Sequence, residues 1–197
     1  MKKKTIIILS IVALVVIIGG WFVSTRNNFV KAEEGVNGAW SQVETVYQRR
    51  ADLVPMLVNT VKGASKYEQE TFLAVTQARS NAMNLQLTGD DLTEENVANF
   101  QKMQDNLKSE FDKALNVTLE AYPELKATDA YRDLMTQIEG TENRISVERK
   151  NYNDAVQDYN KSIRLFPGSI VAGMCGFEKK GYFAASEGAE AAPTVEF

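Results

Sequence analysis

The sequence predicts an all-α protein in which an N-terminal transmembrane helix precedes an up-and-down bundle of four long helices. An uncharged apolar run at residues 5–23 has the length that a helix needs to cross a bilayer. Beyond it, apolar residues recur at steps of three and four, without a competing strand-like alternation. Short breaks rich in Gly, Pro, Asp or Thr separate these helical patterns, which is typical of antiparallel neighbours in a bundle.

The apolar run predicts an uncleaved anchor, residues 1–24, that contacts the lipid bilayer through residues 5–23. It ends in Gly-Trp-Phe at residues 20–22 instead of the small-x-small site of a cleaved signal peptide. Three lysines precede the run, whereas only Arg26 and Lys31 follow closely. This small bias favours a single-pass protein of the cell (inner) membrane with its bundle outside the cytoplasm. A bundle inside the cytoplasm is the alternative.

Residues 25–177 carry the pattern of the helical bundle. Its first helix can continue straight from the anchor, and a second pattern covers residues 67–87. Asp91, three residues before Glu94, predicts a capping box for the third helix. Thr128 or Asp129 is expected to cap the fourth helix, which Pro167-Gly168 is expected to stop.

From residue 178 the composition turns to Ala, Gly, Glu and Ser, which predicts a flexible acidic tail over residues 178–197. Val195 and Phe197 lie at the third-last and last positions before the terminal carboxylate. Such an end suits binding by strand addition to the sheet edge of a PDZ-type domain. The alternative is a solvated tail whose apolar end is incidental.

Charge and composition narrow the function classes. After the anchor the chain keeps 19 Lys/Arg against 26 Asp/Glu, a formal charge of −7, so nucleic acid is not an expected partner. The absence of histidine removes Ser-His-Asp triads, His-containing zinc sites and Glu-x-x-His di-iron motifs. Cys175 is the single cysteine, which excludes an intramolecular disulfide. We therefore expect no catalytic residues, no metal and no cofactor.

Charged residues nevertheless occupy apolar stripes: Arg50 on the first bundle helix, and Glu142 and Arg149 on the fourth. Unpaired charges on bundle-facing positions are costly, so we expect them to pair across the helices and to fix helix register. Arg49 and Asp52 lie next to Arg50 in the sequence. We therefore expect a charge cluster of structural or functional importance, made of Arg49, Arg50, Asp52, Glu142 and Arg149. The alternative is an anion site or a catalytic carboxylate.

Two further motifs have structural interpretations. Pro55 inside the first bundle helix frees the carbonyl of Ala51 and is expected to bend the helix axis. The dipeptide Tyr-Asn occurs at residues 152–153 and again at 159–160, seven residues apart, so both tyrosines share one face. We expect aromatic packing with satisfied hydroxyl groups there, and a core position for Trp40.

A set of ordered blocks extends over nearly the whole chain after the anchor. They read AWSQV at 39–43, RRADLVP at 49–55, EAYPELKA at 120–127, TENRI at 141–145 and YNDAV at 152–156. In this order they resemble the LemA family of bacterial membrane proteins. Tyr67 and Gln69 depart from the family pattern, in which His and Lys are expected at these two positions. The resemblance implies a single-pass protein with a helical bundle, and it supplies no catalytic residues to carry over.

The function expected from these observations is that of a membrane-anchored interaction module, an adaptor or scaffold for an unidentified membrane or envelope protein. The alternative is an enzyme or small-ligand receptor that uses Arg49, Arg50, Asp52 and Glu142 in a cleft. A solvent-open pocket containing these groups would favour the alternative, and their closure among packed helices would favour the module. The sequence leaves the oligomeric state open.

Overall fold

The computed structural model describes residues 3–61 and 69–184, and this part of the chain forms five α-helices and no strand. Two short 3-10 helices, Gly89–Asp91 and Pro123–Ala127, flank the third helix. The all-α fold class is therefore confirmed. The helices are α1 (Lys3–Val61), α2 (Gln69–Asn84), α3 (Glu94–Ala121), α4 (Asp129–Arg164) and α5 (Gly168–Cys175).

Helix α1 joins the apolar run to the bundle without a break over 59 residues. Its large apolar side chains before residue 22 are exposed, and from Phe29 onward one face is buried. The helix is long and apolar enough, by length and composition, to cross a membrane. A continuous helix transmits the orientation of this apolar end directly to the bundle.

The bundle is built on an antiparallel contact between α1 and α4, while α2 packs on α3. Phe29 of α1 shares a buried cluster with Ile163 near the end of α4, whereas Leu57 shares one with Leu134 near its start. The end of α4 thus lies beside the part of α1 that leaves the apolar run.

Helix starts follow the capping chemistry expected of threonine. Thr128 Oγ1 accepts a hydrogen bond from the Tyr131 N–H (3.3 Å), which confirms the predicted cap of α4. The cap predicted at Asp91 is wrong, because α3 begins at Glu94 with Thr93 as its cap. The Asp91 carboxylate instead accepts from the backbone N–H of Thr88 (3.3 Å) at the preceding 3-10 turn.

Two apolar clusters fill the bundle. The anchor-side core includes Phe29, Trp40 and Tyr159, and the far core includes Leu57 and Leu134. Buried or half-buried polar residues lie between the two in sequence on α1, α3 and α4, and we call them the polar layer: Arg50, Gln104, Thr141 and Glu142.

The chain beyond α4 departs from the prediction in two ways. Pro167-Gly168 does end α4, but the fifth helix α5 follows at once and was not predicted. Residues 178–184, which we call the C-terminal strap, pack on the bundle and bury Lys180 and Phe183. A flexible tail starting at residue 178 is therefore wrong for these seven residues, and the bundle extends to residue 184. Val195 and Phe197 lie outside the described residues.

Candidate functional site

Arg50 and Glu142 form a bidentate ion pair in the polar layer. Arg50 Nε donates to Glu142 Oε1 at 2.8 Å, and its terminal nitrogen donates to Oε2 at 2.7 Å. A third bond runs to the backbone oxygen of Gln104 at 3.3 Å. The Arg50 side chain is 7% exposed and that of Glu142 is 32% exposed. The predicted pairing across α1 and α4 is present, and it ties both helices to α3.

The rest of the polar layer closes around this pair. Gln104 Nε2 donates to the carbonyl of Ala82 at 3.4 Å, while the Arg50 guanidinium lies 5.1 Å from the centre of the Tyr47 ring. The space beside the ion pair measures about 30 Å³, which is room for only one or two water molecules. An organic substrate does not fit there, so closure among packed helices favours the structural interpretation of Arg50 and Glu142.

Pro55 explains a second part of the RRADLVP motif. Proline lacks the N–H that would bond the carbonyl one turn earlier, at Ala51. Arg79 of α2 supplies the missing donor, with its Nε 2.8 Å from Ala51 O, and its terminal nitrogen lies 3.5 Å from Asp52 Oδ1. Asp52 is exposed and also accepts from Gln48. The freed carbonyl was predicted, but its partner was not, although Arg79 stands on the apolar stripe of its helix.

The remaining two members of the charge cluster lie elsewhere. Arg49 is exposed on α1. Arg149 donates to the backbone oxygen of Ala184 at 2.7 Å, and its guanidinium lies 4.9 Å from the centre of the Phe183 ring. The expectation that Arg149 joins Arg50 and Glu142 is wrong, because it binds the C-terminal strap instead.

The Tyr-Asn repeat of α4 holds the strap through paired hydrogen bonds. The Asn153 amide donates to Phe183 O (3.0 Å) and accepts from Phe183 N (2.9 Å). Asn160 makes the same two bonds to the backbone of Lys180, both at 2.9 Å. Each amide thus satisfies one strap residue as a neighbouring strand would, which explains how an extended segment is stabilised on a helix.

The two tyrosines complete this attachment. Tyr152 donates to Gly181 O at 3.0 Å and Tyr159 to Glu178 O at 2.9 Å. Burial raises the pKa of both hydroxyl groups well above their ordinary value. The satisfied hydroxyls were predicted, whereas their strap acceptors were not.

Lys180 is a buried cation that no sequence pattern singled out. Its Nζ lies 2.9 Å from Glu33 Oε1 and 3.5 Å from Asp90 Oδ1, and it donates to Gly89 O at 3.1 Å. These partners come from α1 and from the turn before α3. Lys180 therefore links the strap to two elements that are distant in sequence.

A groove of about 550 Å³ lies among residues of α1, α2 and α3. Burial raises the pKa of Glu44 in its wall, an effect opposed by the nearby Trp40 indole, whose Nε1 donates to Leu87 O. Gln104 Oε1 is buried without a hydrogen-bond partner among the described residues. We call this cavity the α1–α2 groove. Residues of α1, α2 and α3 line it, including Glu44, Tyr47, Gln48, Met83, Phe100 and Gln104. Sequence reasoning missed it, because it depends on how three helices diverge.

In residues 3–61 and 69–184, no three Asp, Glu or Cys side chains lie close enough together to hold a metal ion. Glu44 in the wall of the α1–α2 groove is half-buried, and burial raises its pKa. Within the described part, the α1–α2 groove is therefore the better candidate for recognition than the closed ion pair.

Known proteins are similar in sequence to this chain over stretches of different length. The LemA family matches residues 39–197. Protein LemA of Metamycoplasma hominis is 26% identical over 166 residues, which cover 84% of this chain and 72% of that relative. Magnetosome protein MamQ 2 of Paramagnetospirillum magneticum is 35% identical over 69 residues, and magnetosome protein MamQ of Magnetospirillum gryphiswaldense is 32% identical over 69. These two matches cover 35% of this chain and 25% of each MamQ protein.

Proposed function

Because this chain belongs to the LemA family, we propose that it is a membrane-anchored interaction module, an adaptor or scaffold for other membrane or envelope proteins. The chain is a membrane-associated helical protein, with an N-terminal helix of suitable length and composition to span a bilayer. The proposal adds a single pass through the inner membrane, a bundle outside the cytoplasm, and a role in binding rather than catalysis.

The observation that carries this proposal is how the charged motif is used. Arg50 and Glu142 neutralise each other beside a space of about 30 Å³, and Arg79 is occupied by the carbonyl of Ala51. Groups engaged in this way hold helices in register and are not free to act on a substrate. The motif thus supports a rigid scaffold on an anchored helix, which suits an adaptor.

The α1–α2 groove gives this module a recognition site. Its lining is mostly apolar, with Met83 and Phe100 among its residues, and Glu44 provides a half-buried carboxylate. A partner segment that combines an apolar side chain with a lysine or arginine complements both features, since a cation would compensate the desolvated carboxylate.

A small-ligand receptor is the second candidate, and the concave shape of the groove beside the half-buried Glu44 favours it. A compact amphipathic organic cation would contact the same apolar lining and neutralise the same carboxylate as a peptide segment. The two candidates differ in what occupies the groove: a polypeptide cross-links to this chain as a protein adduct, whereas a small molecule does not.

Site-specific photocross-linking of the full-length protein in intact cells tests the proposal. A photoreactive residue in place of Gln48, at the groove, should yield discrete protein adducts that Glu44→Lys abolishes. Glu139→Lys makes the same charge change on an exposed position of α4 that does not line the groove, and it should leave the adducts intact. Adducts that persist equally in both variants would overturn the groove assignment, and an absence of protein adducts would favour the small-ligand candidate.

Orientation has its own test. An impermeant thiol reagent applied to intact cells should label Val147→Cys in a Cys175→Ala background, because Val147 is 55% exposed and the bundle is proposed to lie outside. Labelling only after lysis would place the bundle in the cytoplasm.

A further inference from the structure

Residues 165–177, which join α4 to the C-terminal strap through α5, contain no charged side chain. Buried members of this segment, such as Val171 and Ala172, belong to the anchor-side core. Four other large apolar side chains of the segment are exposed: Leu165 (56%), Phe166 (81%), Ile170 (53%) and Met174 (72%). So concentrated an exposed apolar surface on a small bundle marks a contact with something apolar.

The exposed side chains form a stripe. Phe166, Ile170 and Met174 follow one another at intervals of four residues, and the last two lie on the same face of α5. The opposite face packs against α1 and α4. The segment is therefore amphipathic in the sense of a surface helix, with one side in the core and the other without a partner among the described residues.

The position of this stripe identifies what it meets. Gly168, at the start of α5, lies against Phe29, since a Cβ placed there would be 3.0 Å from Phe29 Cζ. The Phe29 ring also contacts the Phe177 ring, with 5.4 Å between centroids. Phe29 follows the apolar run of α1 by only six residues, roughly 9 Å along a helix. Phe22, inside that run, is itself partly buried against the anchor-side core. The bundle thus reaches down to the level at which α1 enters the bilayer.

We propose that residues 165–177 form a second membrane contact, in which Phe166, Ile170 and Met174 insert into the bilayer interface beside the anchor. The proposal rests on the proposed function in so far as it requires α1 to span that bilayer. Lys161 and Arg164 occupy the last turn of α4, directly before the segment, where cations can meet lipid phosphate groups. Two contacts fix the tilt and rotation of the bundle above the membrane, and the α1–α2 groove then faces its partners at a set orientation.

Depth-resolved fluorescence quenching of the full-length protein in lipid nanodiscs tests this contact. An environment-sensitive dye is attached at Met174→Cys, and separately at Val147→Cys and Leu14→Cys, each in a Cys175→Ala background. Val147 is an exposed apolar residue in the middle of α4 and serves as the control above the membrane. Leu14 lies within the span. Because all three positions are exposed in the protein, the labels should leave the fold unchanged.

The expected result is a blue-shifted emission at residue 174 that lipids brominated near the headgroup quench more strongly than deeply brominated lipids. The label at residue 147 should stay water-like, and that at residue 14 should be quenched best by deeply brominated lipids. Quenching at residue 14 without quenching at 174 would overturn the second contact and leave the anchor standing. A blue shift at 174 that no brominated lipid quenches would overturn it too, by assigning the surface to a protein. Loss of quenching at residue 14 would overturn the anchor and this inference together.

A second variant checks the stripe without a label on it. Ile170→Glu combined with Met174→Glu places charges on exposed positions, so the bundle should fold as before. A dye at Phe166→Cys should then lose its blue shift and its quenching by lipid. Unchanged quenching at residue 166 in this variant would contradict insertion of the stripe.

Discussion

Arg79 Nε lies 2.8 Å from the carbonyl oxygen of Ala51, the acceptor that Pro55 leaves without its helical donor. Pro55 lies on α1 and Arg79 lies on α2. The carbonyl group that the proline leaves unpaired in α1 is therefore the group to which α2 attaches. In this way a helix-breaking residue fixes the position of α2 on α1, although α2 packs mainly on α3.

This relationship predicts energetic coupling between residues 55 and 79. Arg79→Ala should lower the free energy of unfolding by about 1–2 kcal/mol, because a charge-assisted hydrogen bond is lost and a carbonyl is left unpaired. In a Pro55→Ala background the alanine N–H can bond Ala51 O, so the same change should lose clearly less. A double-mutant cycle by chemical denaturation in detergent measures the coupling. Equal losses in both backgrounds would contradict the assigned partnership.

The closed ion pair predicts that neighbouring arginines differ sharply. Arg50→Ala should destabilise the bundle by about 3 kcal/mol, since it leaves the half-buried Glu142 carboxylate without its bidentate partner. Arg50→Lys should recover only part of this loss, because an ammonium group cannot make the bidentate contact. Arg49→Ala, on the exposed face, should change stability by less than about 0.5 kcal/mol. Thermal melts followed by circular dichroism compare the three, and similar small losses at both positions would refute the assignment.

Gly181 and Gly140 predict opposite effects of the same substitution. A Cβ on Gly181 would lie 2.6 Å from Glu94 Cα and 2.7 Å from Thr93 O, so Gly181→Ala should displace the strap and destabilise by roughly 1–3 kcal/mol. A Cβ on Gly140, inside α4, meets no atom within 4 Å, so Gly140→Ala should stabilise by roughly 0.5–1 kcal/mol. Denaturation midpoints test both. A neutral Gly181→Ala would mean that the strap does not pack closely on α3.

Alkaline pH should destabilise the protein through the strap tyrosines. Burial raises the pKa of Tyr152 and Tyr159 in the folded state above the ordinary value of about 10, which the unfolded chain retains. The folded state therefore holds protons that the unfolded state has lost, and stability present below about pH 10 declines above it. Melting temperatures between about pH 8 and 11 should fall more steeply for the wild type than for Tyr152→Phe/Tyr159→Phe. Parallel slopes would show that these hydroxyls are not linked to unfolding.

Much of the architecture was predictable from the periodic spacing of apolar residues in the sequence. The continuous α1, the Thr128 cap and the Arg50–Glu142 pair follow from apolar steps, capping chemistry and the cost of unpaired charge. The strap was not predictable in the same way, because its residues have the composition of a tail and are ordered by side-chain amides of α4. Lys180 gave no local signal, since its partners Glu33 and Asp90 become neighbours only in the folded chain.

The candidate site shows the same division. The residues singled out by charge, Arg50 and Glu142, are those that close on each other. The groove lies where helices separate, and its polar members Glu44 and Gln104 look unremarkable in sequence. Helix α5 was missed because a Pro-Gly pair usually ends a helical region, whereas here a second helix starts immediately after it.

The central claim is that the charged motif builds the scaffold and that the groove recognises the partner. The most direct test replaces the ion pair with apolar residues of similar size, Arg50→Met together with Glu142→Leu, in the full-length anchored protein. Such replacements of buried ion pairs usually preserve or increase stability. We predict that this folded double variant gives the same photocross-linked adducts from residue 48 as the wild type, while Glu44→Lys gives none. A double variant that melts like the wild type yet loses those adducts would contradict the account and assign the ion pair to the functional site.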